Sequence, residues 1–342
     1  MEQKIGVLTG GGDCPGLNSV IRAIVRSATK EGWQVLGFRN GWRGMIENEF
    51  VLLDDRSVSG ILPKGGTILG TSRTNPYKDI ANVERVRQTI LKNGLKALIA
   101  IGGEDTLGVA SRLAKEGVPV VGVPKTIDND LNATDYTFGY DTALNIATEC
   151  IDRLHSTAES HNRVMVVEIM GRHAGWITME AGLAGGADVI MIPEVPMEID
   201  EVCEMIKKRH AKGKTFSIVA VAEGANVRGA GVVTDQKTDQ FGHVHLGGVG
   251  NLVGRLIEEK TGFETRVTVL GHIQRGGTPT AFDRVLGTRF GVKAFELVKE
   301  GKFGFMAALK GRHIVPVALE QAVDELKTVP LEYYNLTKIF CG

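Results

Sequence analysis

Pro124-Lys125-Thr126-Ile127-Asp128-Asn129-Asp130 is the stretch on which the reading of this chain turns. It follows the apolar run Val118 to Val123, which reads as a buried strand. Pro124 and Asn129 stop that strand, so a lysine, a threonine and the carboxylates Asp128 and Asp130 are expected on a loop at its C-terminal end. Open α/β sheets place their ligands there. A carboxylate in that position takes a proton or holds a metal ion. A polar turn is the plainer reading, and the heptapeptide alone leaves both open.

Other strands end the same way. Ile5 to Leu8 runs into Gly10-Gly11-Gly12-Asp13-Cys14-Pro15-Gly16-Leu17-Asn18 and a helix from about Ser19 to Thr29. Strand, glycine loop and helix aim backbone N–H groups and a helix N-terminus at a phosphate. The loop is neither a Walker A loop nor GxGxxG, and a tight turn would also account for it. Leu95 to Ile101 opens into Gly102-Gly103-Glu104-Asp105-Thr106, with a helix from about Leu107 to Lys115. Its two acids either complement the helix dipole or join a Mg²⁺ site, since magnesium takes one or two carboxylates, waters and phosphate oxygens. Gly65 to Arg73 carries three glycines and a terminal arginine, which suits an anion or a solvated loop.

Beyond these, Val164 to Met170, Val189 to Ile192, Phe216 to Ala222 and Thr265 to Leu270 read as strands. Asp141 to Ser160, Ala174 to Leu183, Ile199 to Ala211, Asn251 to Lys260 and Ala281 to Lys299 read as helices. The alternation predicts an α/β protein with mostly parallel sheet and helices on both faces. Two sheets fit 342 residues better than one. Asn40 to Asn48 reads as loop. Asn226 to Gly248 breaks the rhythm; its His243 and His245 read as part of a surface hairpin, since no third metal ligand is evident. The tail from Phe303 to Gly342 fits no element of this pattern.

Bulk composition narrows the classes. Lys+Arg and Asp+Glu are 40 each, so the charge balance gives no support to nucleic-acid or membrane-surface binding. Cys14, Cys150, Cys203 and Cys341 are scattered without a CxxC and read as reduced thiols of a cytoplasmic protein. No signal peptide and no apolar run of spanning length is expected. Arg73, Arg163, Arg172, Arg266 and Arg275 lie at strand edges or loops. Arginine grips phosphate through a planar fork of donors. With the glycine turns and four acids, the set points to a phosphoryl-transfer site that handles two phosphate groups.

These residues resemble the phosphofructokinase family over nearly the whole chain. The matching stretches are Gly11 to Asn18, Gly102 to Thr106, Thr126 to Asp130, Met170 to Arg172, Glu223-Gly224 and His272 to Gly277. The resemblance implies two doubly wound, mostly parallel α/β domains facing across a cleft. It places a phosphoryl-donor domain at residues 1–139 with about 276–325, a sugar-phosphate domain at about 140–275, and a tail at 326–342. It implies transfer of a phosphoryl group to the 1-hydroxyl of fructose 6-phosphate with Mg²⁺. Carried over by position, Asp128 is the base, with Thr126 and Asp130 beside it. Met170, Gly171, Arg172, Glu223, His272 and Arg275 hold the sugar phosphate. Arg163 and Arg266 match arginines lent across a subunit interface, which implies a homodimer or homotetramer. Gly11, Gly12 and Arg73 match donor-phosphate contacts, and Glu104 and Asp130 stand at the metal.

The chain departs from the family's ATP-dependent bacterial members. Glu104 stands where they have the metal-associated aspartate, Asp105 where they have glycine, and Lys125 where they have glycine before Thr-Ile-Asp-Asn-Asp. The changes at Glu104 with Asp105 and at Lys125 resemble the pyrophosphate-dependent branch, and Asn226 to Gly248, which looks like an insertion relative to the short bacterial members, resembles the branch of mixed donor preference. Pyrophosphate is therefore the expected donor, with ATP the alternative. Arg22 and Arg26 match regulatory arginines, but Asp55 and His155 stand where two more are expected, so effector control is not implied.

Overall fold

The computed structural model describes residues 3–228, 235–238 and 244–341. Eleven strands build its two principal sheets: β1 (Lys4–Thr9), β2 (Gln34–Phe38), β3 (Phe50–Leu53), β4 (Leu95–Gly102), β5 (Val120–Pro124), β6 (Val164–Ile169), β7 (Val189–Met191), β8 (Ser217–Ala222), β9 (Thr265–Val269), β10 (Phe305–Lys310) and β11 (His313–Ala318). The first sheet runs β11-β10-β5-β4-β1-β2-β3. Its five inner strands are parallel, and β3 and β11 close its edges antiparallel. The second sheet, β9-β6-β8-β7, is parallel throughout.

The strand sequences account for this layering. In β4 every residue but Lys96 is buried, and β5, β6 and β8 are buried throughout. Such unbroken apolar runs need cover on both faces, which helices supply. The strand β9 is different: as an edge strand it exposes Arg266 and Val269. One core runs through both sheets. The helix Tyr140–His161 joins them, contributing Tyr140, Ala143, Ala147, Ile151 and Ala158 to it.

Three segments differ from the sequence reading. Within Asn40 to Asn48 a helix forms at Trp42–Glu47, because Trp42 and Met45 are buried in the core beside Phe38. The tail is ordered: β10 and β11 form a hairpin that extends the first sheet beyond β5, and helices Leu319–Val323 and Leu331–Thr337 follow. Glu104 and Asp105 lie in the first turn of a helix, Glu104–Lys115, rather than in the loop before it. In the Asn226 to Gly248 stretch, Asp235–Thr238 pairs antiparallel with Val244–His245, as a hairpin would. His243 and the side chain of His245 lie outside the described residues. Cys14, Cys150, Cys203 and Cys341 are all free thiols. Among the described residues no helix is long and apolar enough to cross a membrane.

The start of the Tyr140–His161 helix is fixed by Asp283, which is fully buried in the first turn of the helix Ala281–Lys299. Its Oδ1 accepts the Gly139 N–H at 2.9 Å, and its Oδ2 accepts the Thr142 N–H at 2.8 Å and the Thr142 hydroxyl. Burial pushes this carboxyl up to about 6, against the pull of the Thr142 and Gly139 donors. Because that lies above the ordinary 3.8, the folded chain holds the proton more tightly than the unfolded chain. The stabilisation from proton uptake is full below about 3.8 and is lost as pH rises through about 6. Asp283→Ala strands three donors and is expected to lower stability by about 2–4 kcal/mol in denaturant unfolding. The gap between the two proteins is expected to narrow as pH rises through this window.

Candidate active site

The C-terminal ends of both parallel sheets open onto one cleft of about 430 Å³. The first sheet supplies Gly11 and Gly12 after β1, Gly103 to Thr106 after β4, and Lys125, Thr126, Asp128 and Asp130 after β5. The second supplies Glu168, Met170 and Arg172 from the end of β6, Glu223 after β8, and Val269, Gly271, His272 and Arg275 from the end of β9. Arg73 completes the first wall, and Leu246 to Gly248 with Asn251 the second.

Lys125, Thr126, Asp128, Asn129 and Asp130 are all buried. The Thr126 hydroxyl donates to Asp128 Oδ2 at 3.2 Å and accepts the Asp128 N–H at 3.0 Å. Asp128 Oδ1 has no hydrogen-bond partner although it is buried. An orphaned carboxylate oxygen on a residue that lines a cleft is a free acceptor. Burial, and next the neighbouring Asp128, push Asp130 up to about 7, with Arg172 opposing and Glu104 adding to the rise. Among the described residues no three His, Cys, Asp or Glu side chains gather as a metal cage. The crowded carboxylates fit a magnesium ion held by one or two acids and completed by phosphate oxygens and water.

The Lys125 ammonium donates to the Gly12 carbonyl. Burial lowers its affinity for its proton, and the nearby Arg275 guanidinium acts in the same direction. Only Gly11 and Gly12 of the first glycine loop line the cleft; Cys14 to Asn18 are buried behind them. The Gly65 to Arg73 loop packs on that glycine loop, with the Gly11 N–H donating to the Ser72 carbonyl at 3.3 Å.

Across the cleft, Glu223 Oε1 accepts the N–H groups of Gly171 at 3.3 Å and Arg172 at 2.9 Å. Arg172 has φ 54°, a left-handed conformation that these bonds hold. A Cβ on Gly224 would stand 2.1 Å from the Arg172 carbonyl oxygen, so glycine is required beside Glu223. Gln274 fixes the same turn by accepting the Met170 N–H at 2.8 Å. Arg275 reaches the opposite wall: its Nη1 donates to the Asp13 carbonyl at 3.3 Å and crowds Gly12. It therefore stands between the two sides rather than within the second alone.

Arg163 and Arg266 do not line the cleft. Both pair with Glu264, Arg163 at 2.8 Å and Arg266 at 2.5 Å, beside the exposed edge strand β9. Sequence reading missed Glu168, whose carboxylate accepts the Gly248 N–H at 3.1 Å and the Gly250 N–H at 2.7 Å. It pins the start of the helix Val249–Thr261 against the cleft. The signal was available: an acid inside the apolar run Val164 to Met170.

The Phosphofructokinase family profile matches residues 4–298. The chain belongs to the phosphofructokinase family. It is similar to the pyrophosphate–fructose 6-phosphate 1-phosphotransferase of Amycolatopsis methanolica, 58% identical over 99% of this chain and all of that one. It is also similar to the ATP-dependent 6-phosphofructokinase of Mycobacterium leprae, 54% identical over 99% of this chain and all of that one. Among solved structures it matches Pichia pastoris phosphofructokinase with a TM-score of 0.84 and 31% identity, covering 99% of this chain and 36% of that longer one. As a phosphofructokinase-family chain it is a phosphotransferase, with the two-sheet cleft expected from its sequence.

Proposed function

We propose that this protein transfers a phosphoryl group reversibly from pyrophosphate to the 1-hydroxyl of fructose 6-phosphate, giving fructose 1,6-bisphosphate. The observation that carries the reading is the loop after β5, where Lys125 and the half-bonded carboxylate of Asp128 enter one cleft. Residues 1–139 with about 276–325 form the donor domain, about 140–275 the sugar-phosphate domain, and 326–342 the tail. The reaction is cytoplasmic and belongs to glycolysis.

In this reading Asp128 takes the proton of the sugar hydroxyl through its open Oδ1, while Thr126 holds the other oxygen and so orients the carboxylate. Met170, Gly171, Arg172, Glu223, His272 and Arg275 hold the sugar phosphate. Gly11, Gly12, Arg73 and Lys125 hold the donor. Glu104 and Asp130 would hold magnesium, which would supply neutralisation of charge on the transferring group. Lys125 offsets charge on the leaving phosphate. Asp128→Asn is expected to bind sugar phosphate but to lose turnover by roughly a hundredfold or more, the usual share of a general base. Near wild-type turnover would remove Asp128 from the mechanism.

Arg163 and Arg266 lie outside their own cleft and pair with Glu264 beside an edge strand that exposes the apolar Val269. This supports a homodimer or homotetramer in which the two arginines complete a neighbour's sugar-phosphate site. Sedimentation at assay concentration is expected to show a dimer or larger species. A fully active monomer would be incompatible with that arrangement.

Relatives named for pyrophosphate and for ATP lie at 58% and 54% identity, so the gap is small and the cleft's own side chains bear on the donor. Asp105, at the first turn of the Glu104–Lys115 helix, lines the cleft. An ATP site must accept an α-phosphate and a nucleoside beyond the transferred group. In the family geometry Asp105 stands where that α-phosphate would lie. Two anions about 4 Å apart repel by about 4 kcal/mol at an effective dielectric of 20, close to a thousandfold in affinity. Pyrophosphate has no α-phosphate and avoids the clash. Wild-type protein is expected to show higher kcat/KM with pyrophosphate than with ATP. Asp105→Gly should admit ATP, and Lys125→Gly should mainly damage pyrophosphate turnover. Wild-type preference for ATP would replace this assignment with the ATP-dependent one.

A further inference from the structure

The segment after β11 returns along the outside of the loop that carries Asp128 and Asp130. Leu326 pairs with Leu131 as an isolated antiparallel bridge, and the Lys327 N–H donates to the Asp130 carbonyl at 2.8 Å. The Lys327 carbonyl in turn accepts the Trp176 indole N–H at 2.8 Å. Two residues on, the Val329 N–H donates to Glu194, which also accepts the Gly175 N–H. This strand-like strap thus runs from the first sheet's hairpin across the loop to the helix after β6.

The Lys327 ammonium makes three bonds: to Asn129 Oδ1 at 2.9 Å, to the Thr134 carbonyl at 3.0 Å and to the Asp135 carbonyl at 3.0 Å. A lysine ammonium has three donors in tetrahedral array and no acceptor, so its capacity is fully used. Asn129 lies between the two site carboxylates with φ 52°, in the left-handed region. Its side-chain oxygen also accepts the Thr137 N–H at 3.2 Å. Two donors on one oxygen fix the amide plane, and with it the peptide that separates Asp128 from Asp130.

We propose that Lys327 is a positioning residue for phosphoryl transfer, clamping the Asp128-Asn129-Asp130 turn in its left-handed form through Asn129. It acts from outside the cleft, because it is absent from the cleft lining. The proposal rests on the reaction assigned to Asp128 above. Without the clamp the turn has one side-chain bond fewer, and the base loses its fixed aim at the sugar hydroxyl. Misplacement of a catalytic group by about 1 Å costs up to roughly a hundredfold in rate. Arginine is no substitute, because its planar fork cannot reach three divergent acceptors as an ammonium does.

Lys327→Met, in the full-length protein, is expected to lower kcat by roughly tenfold or more. The affinity for fructose 6-phosphate alone, measured by calorimetry without donor, should change by less than about twofold, because Lys327 does not touch that site. The calorimetric stoichiometry should match that of wild type; a merely destabilised protein would bind at fewer sites instead. Asn129→Gly, which keeps the left-handed turn but removes the accepting oxygen, should also lower kcat. The double variant should be no worse than the poorer single one, since both remove one link. If Lys327→Met does not fold, Lys327→Gln is read in the same way. Unchanged kcat in the variant, loss of sugar-phosphate affinity in parallel with kcat, or fully additive losses would overturn the role of Lys327. A wild-type protein that turns over with neither pyrophosphate nor ATP would instead sink the reading of the reaction.

Discussion

Two carboxylates two residues apart, both buried at the end of a strand, are the constraint to which the rest of this structure responds. Burying a charge is costly unless it is paired or hydrogen-bonded. Asp128 meets the cost in part through the Thr126 hydroxyl, Asp130 through the guanidinium of Arg172 across the cleft. Lys125 brings a buried positive charge to the same loop, and Lys327 brings a half-buried one behind it. These partners come from three separate stretches of chain. The loop can therefore exist only when both sheets and the returning tail are in place, which ties the chemistry to the completed fold.

The parallel sheets explain why those partners converge. Parallel strands with crossover helices put all their C-terminal ends on one side. Two such sheets sharing one core have their C-terminal loops facing each other. The second wall is braced by acids that accept backbone N–H groups. Glu223 holds Gly171 and Arg172, and Glu168 holds Gly248 and Gly250. Braced loops keep their donors aimed before a substrate arrives, the condition under which electrostatic stabilisation acts without reorganisation.

Much of this was legible in the sequence because the buried strands are unbroken apolar runs. The runs at β4, β5, β6 and β8 admit no other placement, and the residues just after them are the cleft. What escaped was set by tertiary contact. Trp42–Glu47 is a short helix after Gly41, stabilised by burying Trp42 and Met45, which no local period announces. The hairpin of β10 and β11 is recognisable only by its pairing with β5. Lys327 gave no local signal either, since its three acceptors lie about two hundred residues upstream. Arg275 was legible as a cleft residue, but its reach to the Asp13 carbonyl depends on how the sheets face each other.

The same contrast bears on which acids do chemistry. Glu168, Glu194 and Asp283 each engage both carboxylate oxygens with backbone N–H groups or a hydroxyl. An oxygen so occupied is aimed by the fold at the backbone it holds. Asp128 engages only Oδ2, and its Oδ1 is buried and bare. A bare buried oxygen is a standing cost of about 1–3 kcal/mol that the fold could remove with one more donor. That it stays bare on a residue lining the cleft with Lys125 and Arg172 is the feature that separates Asp128 from the structural carboxylates around it. Residue type cannot make that distinction; the donors around each oxygen do.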